Sequence, residues 1–257
     1  MKLTTLITFL SISTFIFCQD LSEYDLKPYN DSLKFKIIDE NEVLEKDESL
    51  QAVIIVFKHQ YFDNVKLSIS NNPQLREIKI FVGDQDLLNF LSFQKLPNLT
   101  HLFFKQFVHN SLEIPEFTTL KHLTIQSANL ETLNMVNAKL DNLMLLEIET
   151  PKLKLWKADK YFPKLELIGL NAPNLDFFPI ENMPKIFQFS YHCSFKYLPL
   201  NLCSYDDLNH ISFNNFIDVK LEKCFRKKVK MAYYSNVTVY NKVDGQIITE
   251  VVSKDRK

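Results

Sequence analysis

Leu140-Asp141-Asn142-Leu143-Met144-Leu145-Leu146-Glu147-Ile148-Glu149-Thr150-Pro151-Lys152-Leu153 places apolar residues at the first, fourth and sixth positions counted from Leu143, with another three residues before it and another ten after. Alternate side chains of a strand point to opposite faces, so Leu146 and Ile148 turn one way and Leu145, Glu147 and Glu149 the other. The string recurs as Leu75/Ile78/Ile80, Leu99/Leu102/Phe104, Leu120/Leu123/Ile125, Leu165/Ile168/Leu170, Ile186/Phe189/Tyr191 and Leu208/Ile211/Phe213. From Leu75 to Leu208 it takes six steps over 133 residues, about 22 per step.

Both flanking offsets repeat as well. Leu96, Phe117, Leu140, Phe162, Met183 and Tyr205 stand three residues before the first position, and Leu130, Leu153 and Leu175 stand ten after it. Pro97, Pro163 and Pro184 precede strand starts, where a missing ladder donor is tolerated. An eighth copy falls at Val229/Ala232/Tyr234 or one residue earlier, and a degenerate early one at Leu50/Val53/Ile55. Over roughly residues 50–235 the chain resembles the leucine-rich repeat family, whose repeats run about 20–29 residues. The resemblance implies an α/β solenoid: a coil with short parallel strands on the concave face and a mostly irregular convex side of turns, 3₁₀ segments or short helices. The family's Asn or Cys at the ninth position is replaced by Phe107, Ala128, Pro151, Pro173, Ser194 and Phe216, so no asparagine ladder is expected at the strand-to-turn corner. Asp86 to Leu91 has helical spacing and predicts a convex helix in the longest of these repeats.

The ends read differently. Met1-Lys2 followed by the apolar stretch Leu3–Phe17 reads as a secretory signal over residues 1–18, which implies a secreted or cell-surface product. Residues 19–48 are acidic and polar and read as an N-terminal lead or cap, with the repeats over 49–235. Residues 236–257 read as a β-hairpin cap and tail, with Asp244-Gly245 as the turn; such a hairpin can pair with or shield the last strand.

Composition narrows function by exclusion. Three glycines, Gly83, Gly169 and Gly245, stand where average usage gives roughly 18, so the chain has no Gly-rich phosphate loop, dinucleotide fingerprint or nucleophile elbow. Thirty basic against 31 acidic residues argue against a nucleic-acid binder, and no later apolar run is long enough for a membrane span. No nucleophile–base pair, metal spacing or cofactor loop emerges, so no enzymatic activity, cofactor or metal is expected.

The candidate surface is the outward positions. His101 and His122 share the third position of neighbouring repeats but lack a third ligand, since Leu145 and Leu167 follow in that column. Glu147 and Glu149 form an acidic pair on one strand, and Lys105 gives the face mixed sign. Phe81, Phe103, Leu145 and Leu167 are apolar at outward positions, with Met144 and Phe187 at the second position. A contiguous group of this kind marks a protein-binding surface, unless irregular repeats or the N-terminal segment cover it. The expected partner is therefore a macromolecule, most simply a protein, bound on the concave sheet; the alternative is a structural or adhesive component that acts by assembly. Cys203 and Cys224, nearly one repeat apart, are either a disulfide or two buried thiols, with Cys193 left over. Asn30, Asn98 and Asn236 begin glycosylation sequons.

Overall fold

The computed structural model describes residues 26–39, 41–56, 62–92, 95–193, 208, 210–213, 219–222, 230–233, 237–243 and 246–252. The signal segment, Cys203, Cys224 and Asn236 lie outside them. The repeat is expressed as one large parallel sheet of ten strands: β1 (Phe35–Ile38), β2 (Ala52–Ile55), β3 (Glu77–Ile80), β4 (His101–Phe104), β6 (His122–Gln126), β8 (Leu145–Glu149), β10 (Leu167–Ala172), β11 (Gln188–Cys193), β12 (His210–Phe213) and β14 (Lys230–Tyr233), side by side in that order. From β2 to β12 each strand pairs with the next in the register that the repeat predicts. Ile78, Leu102, Leu123, Leu146, Ile168, Phe189 and Ile211 fall in one row across the sheet. Ile80, Phe104, Ile125, Ile148 and Leu170 form the next inward row, and those of the two rows from Ile78 to Phe189 are buried in one core cluster. At β14 the row continues through Met231 and Tyr233, so the eighth copy takes the earlier of its two registers.

The array begins earlier than the early copy at Leu50, because β1 lies within the acidic segment and pairs in register with β2. Ile38 fills its core position, but Lys36 occupies the position that is Val53 on β2 and Ile78 on β3, and it stays exposed. A lysine in the core row of an edge strand discourages a further strand from adding there. At the other end the hairpin forms as expected from β15 (Val237–Val243) and β16 (Gln246–Val252). It does not pair with the last strand of the large sheet. Its partner is β13 (Val219–Glu222), which pairs parallel to β15 in a separate three-stranded sheet.

The connections on the far side of the core are more regular than expected. Helix α1 (Phe62–Asn71) follows β2, and α2 (Gln85–Phe90) follows β3 where the spacing predicted it; Asp84 caps α2 by accepting the Leu87 N–H at 2.8 Å. Strands β5 (Ser111–Glu113), β7 (Thr132–Met135) and β9 (Leu155–Ala158) then form a second parallel sheet. Its inward row is Leu112, Leu133 and Trp156, and it joins the same core as the large sheet. The offset ten residues after the first position supplies Leu130, Leu153 and Leu175, all buried there.

With asparagine absent from the ninth position, the strand-to-turn corner is closed by small residues at the eighth. Ser127, Thr150 and Ala172 are buried, and the backbone ladder runs on through them: the Ser127 N–H donates to the Glu149 carbonyl and the Thr150 N–H to the Asn171 carbonyl, each at 2.9 Å. Among the described residues no helix is long and apolar enough to cross a membrane.

Candidate functional site

With the fourth and sixth positions committed to the core, the outward positions make an open face. It divides into two parts. On the half built from β2, β3, β4 and β6, residues 26–29 of the N-terminal segment lie across the strands. Leu26 packs on a small cluster of Ile54, Val56 and Phe81, joined by Phe103. Phe81 is thereby only 3% exposed, which corrects its expected place on a free surface: the covering segment is the reason. Phe103 is half-buried, with its ring 6.0 Å from Phe81.

Tyr29 completes the cover. Its backbone N–H donates to Glu77 Oε1 at 2.6 Å, its hydroxyl meets Thr124 Oγ1 at 2.9 Å, and its ring faces His101 and His122 at centroid distances of 5.9 and 6.3 Å. The Lys79 ammonium donates to the Lys27 carbonyl and sits 4.7 Å from the centre of the Tyr29 ring, a cation–π arrangement. Glu77 and Lys79 occupy outward positions yet are 1% and 5% exposed. Since buried charges need partners, these contacts contribute to making that burial tolerable. Thr124 in turn donates to Glu147 Oε2 at 3.1 Å, so the Tyr29 hydroxyl donates to Thr124 and a relay runs from the segment into the next strand.

His101 and His122 are brought together as their shared column predicts. Their rings are 4.1 Å apart and inclined by 68°. The Thr100 hydroxyl gives its one proton to the Arg76 carbonyl, so the 2.8 Å contact to His101 Nδ1 is satisfied when that nitrogen carries the ring proton. His122 Nδ1 is buried with no hydrogen-bond partner. Burial, then the neighbouring His122 and Lys121, push His101 down to about 4. Burial followed by Lys121 also lowers His122, against the opposing pull of Glu166. Among the described residues no three His, Cys, Asp or Glu are grouped to hold a metal ion. His101 also borders an open depression of about 470 Å³, lined by Arg76, Asn98, Thr100, Lys121 and Asn142 at the strand-entry rim.

The second half of the open face, on β8 and β10, carries the remaining sequence-predicted residues. Leu145 and Leu167 pair directly across the two strands, each half-buried, and Glu149 pairs with Asn171, both exposed. Glu147 lies opposite Gly169, where an added Cβ would meet only Glu147 Cγ, at 3.5 Å. Two features escaped the pattern. Tyr29 carries no repeat signal, although a Pro-aromatic pair ahead of the first strand marks it in hindsight. The exposed Leu155, Tyr161 and Phe177 lie outside the large sheet, at positions where the repeat makes no prediction.

No protein-family model matches the chain, and comparison with curated proteins yields no match.

Proposed function

We propose that the chain is an exported leucine-rich repeat solenoid that binds a protein partner on its concave sheet, as a recognition module without catalytic activity of its own. The observation that carries this reading is the Leu145–Leu167 pair: two large aliphatic side chains in register on neighbouring strands, facing outward and only half-buried, bordered by Glu147, Glu149 and Asn171. Apolar anchors inside a polar rim are the usual anatomy of a protein interface. A parallel sheet whose inward rows hold the core leaves the outward rows free to vary with the partner, and the 22-residue period, the in-register pairing and the buried flanking leucines support the family reading.

The test is capture by the secreted chain, compared with a chain carrying Leu145→Asp and Leu167→Asp. The reading expects a protein retained by the wild type and lost from the double variant while circular dichroism and a cooperative urea transition show that the variant is still folded. Equal retention by a folded double variant contradicts it.

A further inference from the structure

The cover over β2–β6 is an extended segment held at successive points, with Lys27 and Tyr29 remaining exposed on its outer side. Leu26 enters the Ile54–Val56–Phe81 cluster, the Lys27 carbonyl takes the Lys79 ammonium, Pro28 is buried, and Tyr29 uses its backbone N–H, hydroxyl and ring. Proline suits that third place because it has no N–H to satisfy and holds the residue before it extended. Non-specific collapse of an apolar tail would not provide hydrogen bonds to two buried charged residues on the sheet.

We infer that this half of the open face is a docking groove for a partner's extended segment of the form aliphatic–any–Pro–Tyr, and that residues 26–29 are its built-in competitor. The inference rests on reading the open face as a binding surface and adds the partner's chemistry at a second, separable place on it. The groove reads Tyr over Phe through Thr124, and the buried Glu77 accepts a backbone N–H at the same residue. An intramolecular segment acts at an effective concentration of millimolar order. A partner segment therefore gains access when the strap is weakened or when additional contacts on β8 and β10 raise its affinity.

The experiment uses the full chain with Leu26→Ser and Tyr29→Ser, and a fluorescent peptide of residues 25–30 followed by anisotropy. The opened chain should bind the peptide saturably and about tenfold or more tighter than the wild type, whose strap competes. A scrambled peptide, or the same peptide with Tyr replaced by Ser, should not bind, and adding Phe103→Asp to the opened chain should abolish the signal. Tyr29→Phe, which removes the hydroxyl that meets Thr124, should give intermediate affinity, and it carries the test if the double variant does not fold. The proposal is overturned if a folded opened chain binds the peptide no better than the scrambled one, or if wild type and opened chain bind it equally. It is also overturned if the wild type is a dimer that Tyr29→Ser makes monomeric, because the groove would then serve a second copy. Failure here with partner capture still dependent on Leu145 and Leu167 would sink only the groove; loss of that dependence would sink the wider reading.

Discussion

Replacing Leu146 by Ala should destabilise the chain by about 3–5 kcal/mol, while the same change at its neighbour Leu145 should cost about 1 kcal/mol or less. Leu146 is fully buried at the second position of β8, flanked in register by the equally buried Leu123 and Ile168. Truncation removes three carbons, or about 2.4 kcal/mol at about 0.8 kcal/mol each. Hydrogen-bonded strands on both sides fix the spacing, so the vacated volume cannot collapse and the cavity contribution lifts the cost into the upper part of the usual Leu→Ala range of about 2–5 kcal/mol. Leu145 faces the open side and loses only a half-buried side chain. Urea unfolding can be followed through the single tryptophan, Trp156, which is buried with its indole N–H directed at Met135 Sδ and its ring 5.4 Å from Phe178. The two variants should differ in midpoint at unchanged m-value. Equal losses, or a Leu146→Ala loss within about 0.5 kcal/mol, would refute the alternation on which both the core and the open face depend.

Acidification should weaken the fold through the His101–His122 pair. Their folded-state affinity for protons is lowered, so their contribution is complete above pH 6.5, the unfolded value, and is lost as pH falls, for His101 through about 4 and for His122 below its unfolded value. His101→Gln with His122→Gln should flatten the urea-midpoint profile across that window, and an unchanged profile would refute the assignment. Lys36→Ile should turn a blunted edge into a sticky one, seen as concentration-dependent association by light scattering, whereas a strictly monomeric variant would show that Lys36 does not guard the edge. Gly83→Ala should lower the melting temperature, because its Cβ would stand 2.9 Å from Phe104 Cε1 in the core; Gly169→Ala, with only Glu147 Cγ at 3.5 Å, should not.

Much of this architecture is legible in the sequence because repetition multiplies a weak local signal. One Leu-x-x-Leu-x-Leu string is ambiguous, but seven of them at constant offsets specify the inward rows, and the rows from Ile78 to Phe189 are where the alternation puts them. Elements outside the period are read less well. β1 breaks the pattern with Lys36, and β5, β7 and β9 are too short for their own alternation to stand out. The histidine pair and the Leu145–Leu167 pair follow from columns, since in-register strands bring equal positions together. Phe81 does not follow, because what buries it is Leu26, 55 residues away along the chain and outside any repeat. A pattern of outward positions says which residues face away from the core and nothing about what lies across them.

The most direct test of the open face as the recognition surface is site-specific photo-crosslinking in the presence of the captured partner. A photoreactive residue would be placed at Gln188, beside Leu167 on the open face, and, in a second chain, at Leu155, exposed on the small sheet. The account predicts a partner adduct from position 188 and none from 155. An adduct from 155 with none from 188 would move recognition to the opposite side of the molecule and contradict the account.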